Sequence, residues 1–261
     1  MRREPAANEA LAEALRSYAR TLAAAGVVQT GGAFTDLPEA DRFVKTRAEA
    51  FLIGVLFTQG IPAERAWAAP WLLAQRLGHF DLGRLAVERE RVARAIAAPP
   101  ALHRFVRTLP GWVSAAAARV IEDYRGDAAA IWPEGTRVAE VAERLRAFQG
   151  IGVKKAAMAT EMLVRHLGVR LTGLEDGCVA YDVHVRRVFL RSGLVVRDSV
   201  VEVASAARSV EPGDPGSLDL AAWLIGRQHC RPSAPRCDQC PLAGPCARLV
   251  SLRPDGVGVR R

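Results

Sequence analysis

The sequence predicts an all-α protein, and three observations carry that prediction. Helical punctuation dominates the chain, alanine is enriched between the caps, and alternating strand patterns are scarce. Taken in order, Asn8 can cap an Ala/Leu-rich helix to about residue 25, and 28–34 with its glycine pair reads as loop. Residues 47–57 are nearly all apolar after Glu49 and read as a buried helix. Pro62 suits the first turn of a helix running toward Leu77, with Pro70 placed to kink it. Further helices are expected over 82–97, 101–109, 113–124, 138–148, 153–166, 183–191, 200–209 and 217–229, with a short one over 241–250. Only 169–174 offers a weak strand, and there is no internal repeat.

With 261 residues, half of them apolar and a quarter charged, the chain can bury a large core and is not of a disordered class. The longest uncharged stretch, 21–35, is shorter than the ~20 residues a bilayer helix needs. The first residues carry Arg2, Arg3, Glu4, Glu9 and Glu13 where a signal peptide needs an apolar run, so a cytoplasmic location is expected. The formal net charge of +8 favours a polyanionic partner, and the last 36 residues hold seven arginines against two aspartates. Lysine is rare, at Lys45, Lys154 and Lys155 only. A chain this biased toward arginine keeps lysine where an amine able to lose its proton is useful.

Cys230, Cys237, Cys240 and Cys246 are spaced C-x6-C-x2-C-x5-C, while Cys178 stands apart as a small apolar residue. Disulfides do not suit a chain that is not exported. Zinc prefers two separated knuckles and only Cys237/Cys240 form one, so the spacing favours a [4Fe-4S] cubane with one thiolate per corner. Between the first two cysteines, two prolines stiffen a loop carrying Arg231 and Arg236, cations well placed to meet phosphates.

Upstream, Gly150-Ile151-Gly152-Val153-Lys154-Lys155 joins two expected helices. Gly150 and Gly152 allow a tight turn and leave backbone N–H groups bare at a helix start, an anion site; a plain turn between packed helices is the alternative. Lys154 there opposes the helix dipole, which a function for its amine would explain. Asp182, in Tyr181-Asp182-Val183-His184-Val185-Arg186-Arg187-Val188, serves as a helix N-cap and can also be a fixed, ionised carboxylate. His184 reads as a core or supporting histidine, and Arg186 and Arg187 as a solvated or phosphate-facing pair.

In this order and with this cysteine spacing, the three motifs resemble endonuclease III, the helix-hairpin-helix DNA glycosylase family that carries an iron–sulfur cluster. The resemblance runs from about Ala48 to Cys246 and takes in Val55-Leu56-Phe57-Thr58-Gln59 and Trp223-Leu224-Ile225-Gly226-Arg227. It implies two helical lobes with a DNA cleft between them: a helical barrel over 42–167 carrying the hairpin, and a cluster lobe from 1–41 and 168–250. Residues 251–261 are expected to be a disordered basic tail. It also implies that Lys154 attacks the sugar C1′ of a flipped, damaged nucleotide, an oxidised pyrimidine being the expected base, and nicks the strand by β-elimination. Asp182 would assist, facing Lys154 across the cleft. Gln59 would fill the space behind the flipped base, Trp112 would be a wedge or a core residue, and Gly150, Gly152, Arg186, Arg231 and Arg236 would meet DNA. The expected partner is duplex DNA with a damaged or abasic nucleotide, bound by a monomer in the nucleoid.

The sequence departs from the family in three places. The stretch from Lys154 to Asp182 is several residues longer than expected, with 172–177 as an inserted loop; Tyr181 replaces a small aliphatic; and Lys155 is a second candidate amine. Two other readings stay open: a monofunctional uracil or mismatch glycosylase using Asp182 and water, and a non-catalytic DNA-binding relative.

Overall fold

The computed structural model describes residues 5–25, 34–252 and 258–259. Its helices are α1 Pro5–Ala24, α2 Pro38–Thr46, α3 Ala48–Phe57, α4 Ala63–Leu77, α5 Leu82–Val87, α6 Arg89–Ala97, α7 Leu109–Tyr124, α8 Val138–Arg146, α9 Val153–Arg165, α10 Val185–Ser192, α11 Val200–Val210 and α12 Asp219–Gln228. Among the described residues no helix is long and apolar enough to cross a membrane. The expected loop at 28–34 lies outside the described residues except for Phe34. In the expected tail, Ser251–Leu252 (β1) pairs antiparallel with Gly258–Val259 (β2), and the remainder lies outside the described residues.

Two hydrophobic cores organise these helices. The first runs from Phe34 to Leu171 and centres on α3, where eight consecutive residues, Ala50 to Phe57, are buried. A helix buried on every side needs neighbours on every side, and α2, α4 and α7 supply them. Pro70 sits inside α4 against Gly54, whose added Cβ would lie 2.6 Å from the Trp67 ring. The second core joins Leu11, Leu15 and Leu22 of α1 to α10, α11 and α12, with Cys230, Cys240 and Cys246 packed on its edge. Chain ends far apart in sequence thus share one core.

Several boundaries differ from expectation, each for a physical reason. The expected helix 82–97 divides at Glu88, whose carboxylate takes hydrogen bonds from Arg84 and Arg91. Residues 101–108 are not helical: the buried His103 ring bonds the Gln59 carbonyl through Nε2 and accepts the Phe105 N–H at Nδ1, replacing helical bonds. Helix α7 starts at Leu109 instead, with Pro110 in its first turn. Residues 241–250 are also not helical, because their N–H groups turn toward cysteine sulfur and the end of α10. Helix α2 was not expected, although Pro38 in its first turn with Glu39 and Asp41 beside it is a start signal. The weak strand at 169–174 is a single bridge between Arg137 and Thr172. It pins the 172–177 loop to the start of α8, where Arg137 also pairs with Glu175 and Asp176.

Candidate active site

The hairpin between α8 and α9 is built around one glycine at positive φ. Gly150 has φ +91°, the left-handed region that favours glycine, and Ile151 donates to the Phe148 carbonyl at 3.0 Å to close the turn. A Cβ on Gly150 would lie 2.5 Å from the Trp112 ring, so the half-buried Trp112 is the footing on which the hairpin rests. Ile151 plugs into the first core, as its position between two glycines implies. Gly152 caps α9 with an ordinary φ of −98° and has open space where a side chain would be. Gly152 and Val153 are exposed, so the bare N–H end of α9 faces outward, in the manner of an anion site.

The two lysines that follow have different surroundings. Lys155 is only 5% exposed; its Nζ donates to the Leu56 carbonyl at 2.7 Å and lies 5.6 Å from the Trp112 ring centre. Burial, and then the neighbouring Lys154 charge, pushes the Lys155 amine down to about 8. Lys154 is half-buried at the first turn of α9. Lys155 therefore buttresses the barrel, while Lys154 keeps access to solvent. The Leu56 carbonyl belongs to the last turn of α3, and Gln59 follows it, half-buried, with its own carbonyl held by His103 at 2.9 Å. Neither the Lys155 nor the His103 contact is visible in the sequence, because each joins residues more than 40 positions apart.

Asp182 stands just ahead of α10. Its Oδ1 accepts the N–H groups of His184 and Val185, both at 2.8 Å, the capping role the sequence implied, although the helix starts at Val185 rather than 183. Tyr181 donates its hydroxyl to Asp198, and Arg186 pairs with the same carboxylate at 2.7 Å. The expectation for Arg187 is corrected: it is buried and donates to the carbonyls of Val183, Gly226 and Cys230, tying α10 to the first cysteine. Gly226 is required there, since a Cβ would lie 2.7 Å from the His184 carbonyl oxygen.

Asp219, in the first turn of α12, accepts the Ala180 N–H at 2.6 Å and so fastens the segment that leads into Asp182. No sequence motif singles out Asp219. Its signal, a carboxylate in the first turn of an expected helix, reads as an ordinary end-of-helix charge.

The cysteine loop folds back on the end of α10. Arg191 donates to the carbonyls of Arg231 and Pro232 at 2.6 and 2.9 Å, and Leu249 returns an N–H to the Arg191 carbonyl at 2.8 Å. None of the four cysteines is in a disulfide. Cys240 Sγ accepts the Leu242 N–H and Cys246 Sγ accepts the Arg248 N–H. Among the described residues no three His, Cys, Asp or Glu side chains converge as one metal ion requires. Four thiols on one short loop match in number and chemistry the donor set that a [4Fe-4S] cubane would take. Arg236 is exposed on this loop, with Arg231 half-buried beside it.

No family model matches the chain. Among curated proteins, Endonuclease III of Bacillus subtilis (strain 168) is 30% identical over 129 residues, 49% of this chain and 50% of that protein. Endonuclease III of Thermotoga maritima is 29% identical over 113 residues, 43% of this chain and 48% of that protein. The chain thus matches about half the length of these relatives. Among solved structures, a trapped endonuclease III–DNA covalent intermediate superposes with a TM-score of 0.63 at 20% identity, covering 90% of this chain and 93% of that one. A thermostable thymine-DNA glycosylase gives 0.62 at 14% identity, covering 93% and 96%. The chain is thus similar to endonuclease III in sequence over half its length, and in fold over nearly all of it.

Proposed function

We propose that this protein is a base-excision-repair DNA glycosylase with abasic-site lyase activity. The observation that carries this reading is the Gly150–Gly152 hairpin that sets half-buried Lys154 in the first turn of α9, together with Asp182 fixed ahead of α10 by two N–H donors. A base is reached only after it leaves the stack, so the nucleotide is flipped into the cleft, with Gln59 behind it. Lys154, as the free amine, attacks C1′; the C1′–N bond breaks and the base leaves with a proton. The C1′–O4′ bond then opens, O4′ taking a proton from Nζ, and the C1′–Nζ bond becomes a protonated imine that acidifies the C2′ proton. Loss of that proton expels the 3′ phosphate, and water then releases Lys154 from the nicked product. Asp182, fixed by two N–H donors, supports positive charge on the sugar. The hairpin N–H groups beyond Gly150 and Gly152, together with Arg186, Arg231 and Arg236, are the proposed phosphate contacts, and Trp112 supports the hairpin from below. Cys230, Cys237, Cys240 and Cys246 are the proposed ligands of a [4Fe-4S] cluster that shapes the Arg231–Arg236 loop. The setting is a monomer acting on damaged duplex DNA in the cytoplasm.

Borohydride trapping on duplexes carrying an abasic site, thymine glycol or uracil, with Lys154→Ala as comparison, tests the reading. An adduct lost in the variant supports it, and the lesion that traps identifies the base. Base release without an adduct replaces it by water attack assisted by Asp182. Binding without either product replaces it by a DNA-binding role.

A further inference from the structure

Asp182 and Arg186 stand four residues apart, and the Arg186 N–H donates to the Asp182 carbonyl at 3.0 Å, so they occupy successive turns of one helical path. At that spacing an acidic and a basic side chain ordinarily pair. They do so elsewhere in this chain: Arg144 meets Glu140 at 2.6 Å and Arg165 meets Glu161 at 3.4 Å, each acid four residues ahead of its base. Arg186 pairs instead with Asp198, its Nη1 lying 2.7 Å from Oδ2. Asp198 lies between α10 and α11 and is held from its other side, because its Oδ1 accepts the Tyr181 hydroxyl. Both of its oxygens are thereby committed. Arg187, the neighbouring guanidinium, is spent on the carbonyls of Val183, Gly226 and Cys230. Asp182 keeps Oδ1 on two backbone N–H groups, and among the described residues its Oδ2 has no partner.

We propose that Asp198 is a positioning residue of the active site: it draws the Arg186 guanidinium away from Asp182 and so keeps the candidate carboxylate free to face the sugar. The inference rests on the function proposed above. A guanidinium on Asp182 would neutralise the negative charge that has to support the cationic sugar, so an arginine at this spacing needs another partner. Asp198 is suited to be that partner. Its side chain is 22% exposed and already tied by Tyr181, and an acceptor held in place costs less ordering than a free one. The Arg186 side chain, 42% exposed, still reaches solvent and remains open to a phosphate. The tyrosine hydroxyl thus orients the carboxylate that holds the arginine.

The test is a double-mutant cycle in single-turnover borohydride trapping, with wild type, Asp198→Asn, Arg186→Gln and the double variant. The substrate is an abasic duplex, on which imine formation develops positive charge at C1′, and enzyme is saturating so that DNA affinity does not enter the rate. Asp198→Asn keeps an oxygen for the Tyr181 hydroxyl and removes the charge that holds Arg186. It is expected to slow trapping about two- to fivefold when Arg186 is present. In the Arg186→Gln background it is expected to change nothing, because no guanidinium is left to fall back on Asp182. Equal slowing in both backgrounds overturns the proposal, since Asp198 would then act through Tyr181 or the fold; no slowing in either overturns it too. Failure of the wild type to trap at all refutes the lyase reading itself, and this inference with it. Should Asp198→Asn not fold, guanidinium nitrogen NMR of Arg186 in wild type and Asp182→Asn decides. Resonances that keep their position are expected, and a shift, which would make Asp182 the partner, overturns the proposal.

Discussion

Gly150→Ala is the sharpest structural test of the hairpin. At φ +91° an L-residue costs about 1–2 kcal/mol. The new methyl would also lie 2.5 and 2.7 Å from Trp112 ring atoms, and that ring cannot swing away freely because it packs against the first core beside Lys155. Overpacking of this kind adds about 1–3 kcal/mol, so the total is about 2–5 kcal/mol. Urea unfolding followed by circular dichroism and tryptophan fluorescence measures it. The internal control is Gly152→Ser, two residues away: its φ is ordinary, its surroundings are open, and serine is a good N-cap. That variant should stay within about 0.5 kcal/mol of wild type, yet weaken DNA binding by filling the space before the α9 N–H groups. If Gly150→Ala is as stable as Gly152→Ser, the close contact between hairpin and Trp112 is wrong.

Other consequences can be measured separately. Lys155 is pushed down to about 8 in the folded protein from an ordinary 10.5, so between those values the unfolded chain holds a proton the folded protein has released. Stability should therefore rise as pH increases through that window, and Lys155→Met, assayed by urea unfolding at several pH values, should remove the rise. Arg231→Ala and Arg236→Ala should each weaken DNA binding regardless of sequence and lower the slope of log K against log salt by about one; unchanged slopes would take the loop off the contact surface. Anaerobically purified protein should be brown, absorbing at about 400 nm, and Cys237→Ser should bleach it; a colourless wild type containing stoichiometric zinc would replace the cubane.

The fold class and the main chemical motifs were legible because they are local. Cysteine spacing, the Gly150–Gly152 turn and the Asp182 cap each depend on residues within about a helical turn or two of one another, where periodicity and capping rules act directly. The misplaced elements share a cause that such rules miss. Residues 101–108 give up a helix because His103 reaches back to Gln59, and 241–250 because cysteine sulfur and the end of α10 take their N–H groups. Arg187 looked like a surface cation and is instead buried, since the carbonyls of Gly226 and Cys230 from the distant end of α12 join that of nearby Val183 around it.

The amino-acid order alone determined an all-helical chain, a hairpin with an adjacent lysine pair, a capped aspartate and a four-thiol loop, because each is written in short-range spacing. Only the tertiary structure separated the two lysines, burying Lys155 on the Leu56 carbonyl and leaving Lys154 accessible. It alone fastened the segment leading into Asp182 to α12, through the Ala180 N–H on Asp219. The physical reason is that burial and electrostatic fields depend on distances through space, which only the packing of two cores assembled from distant segments can set.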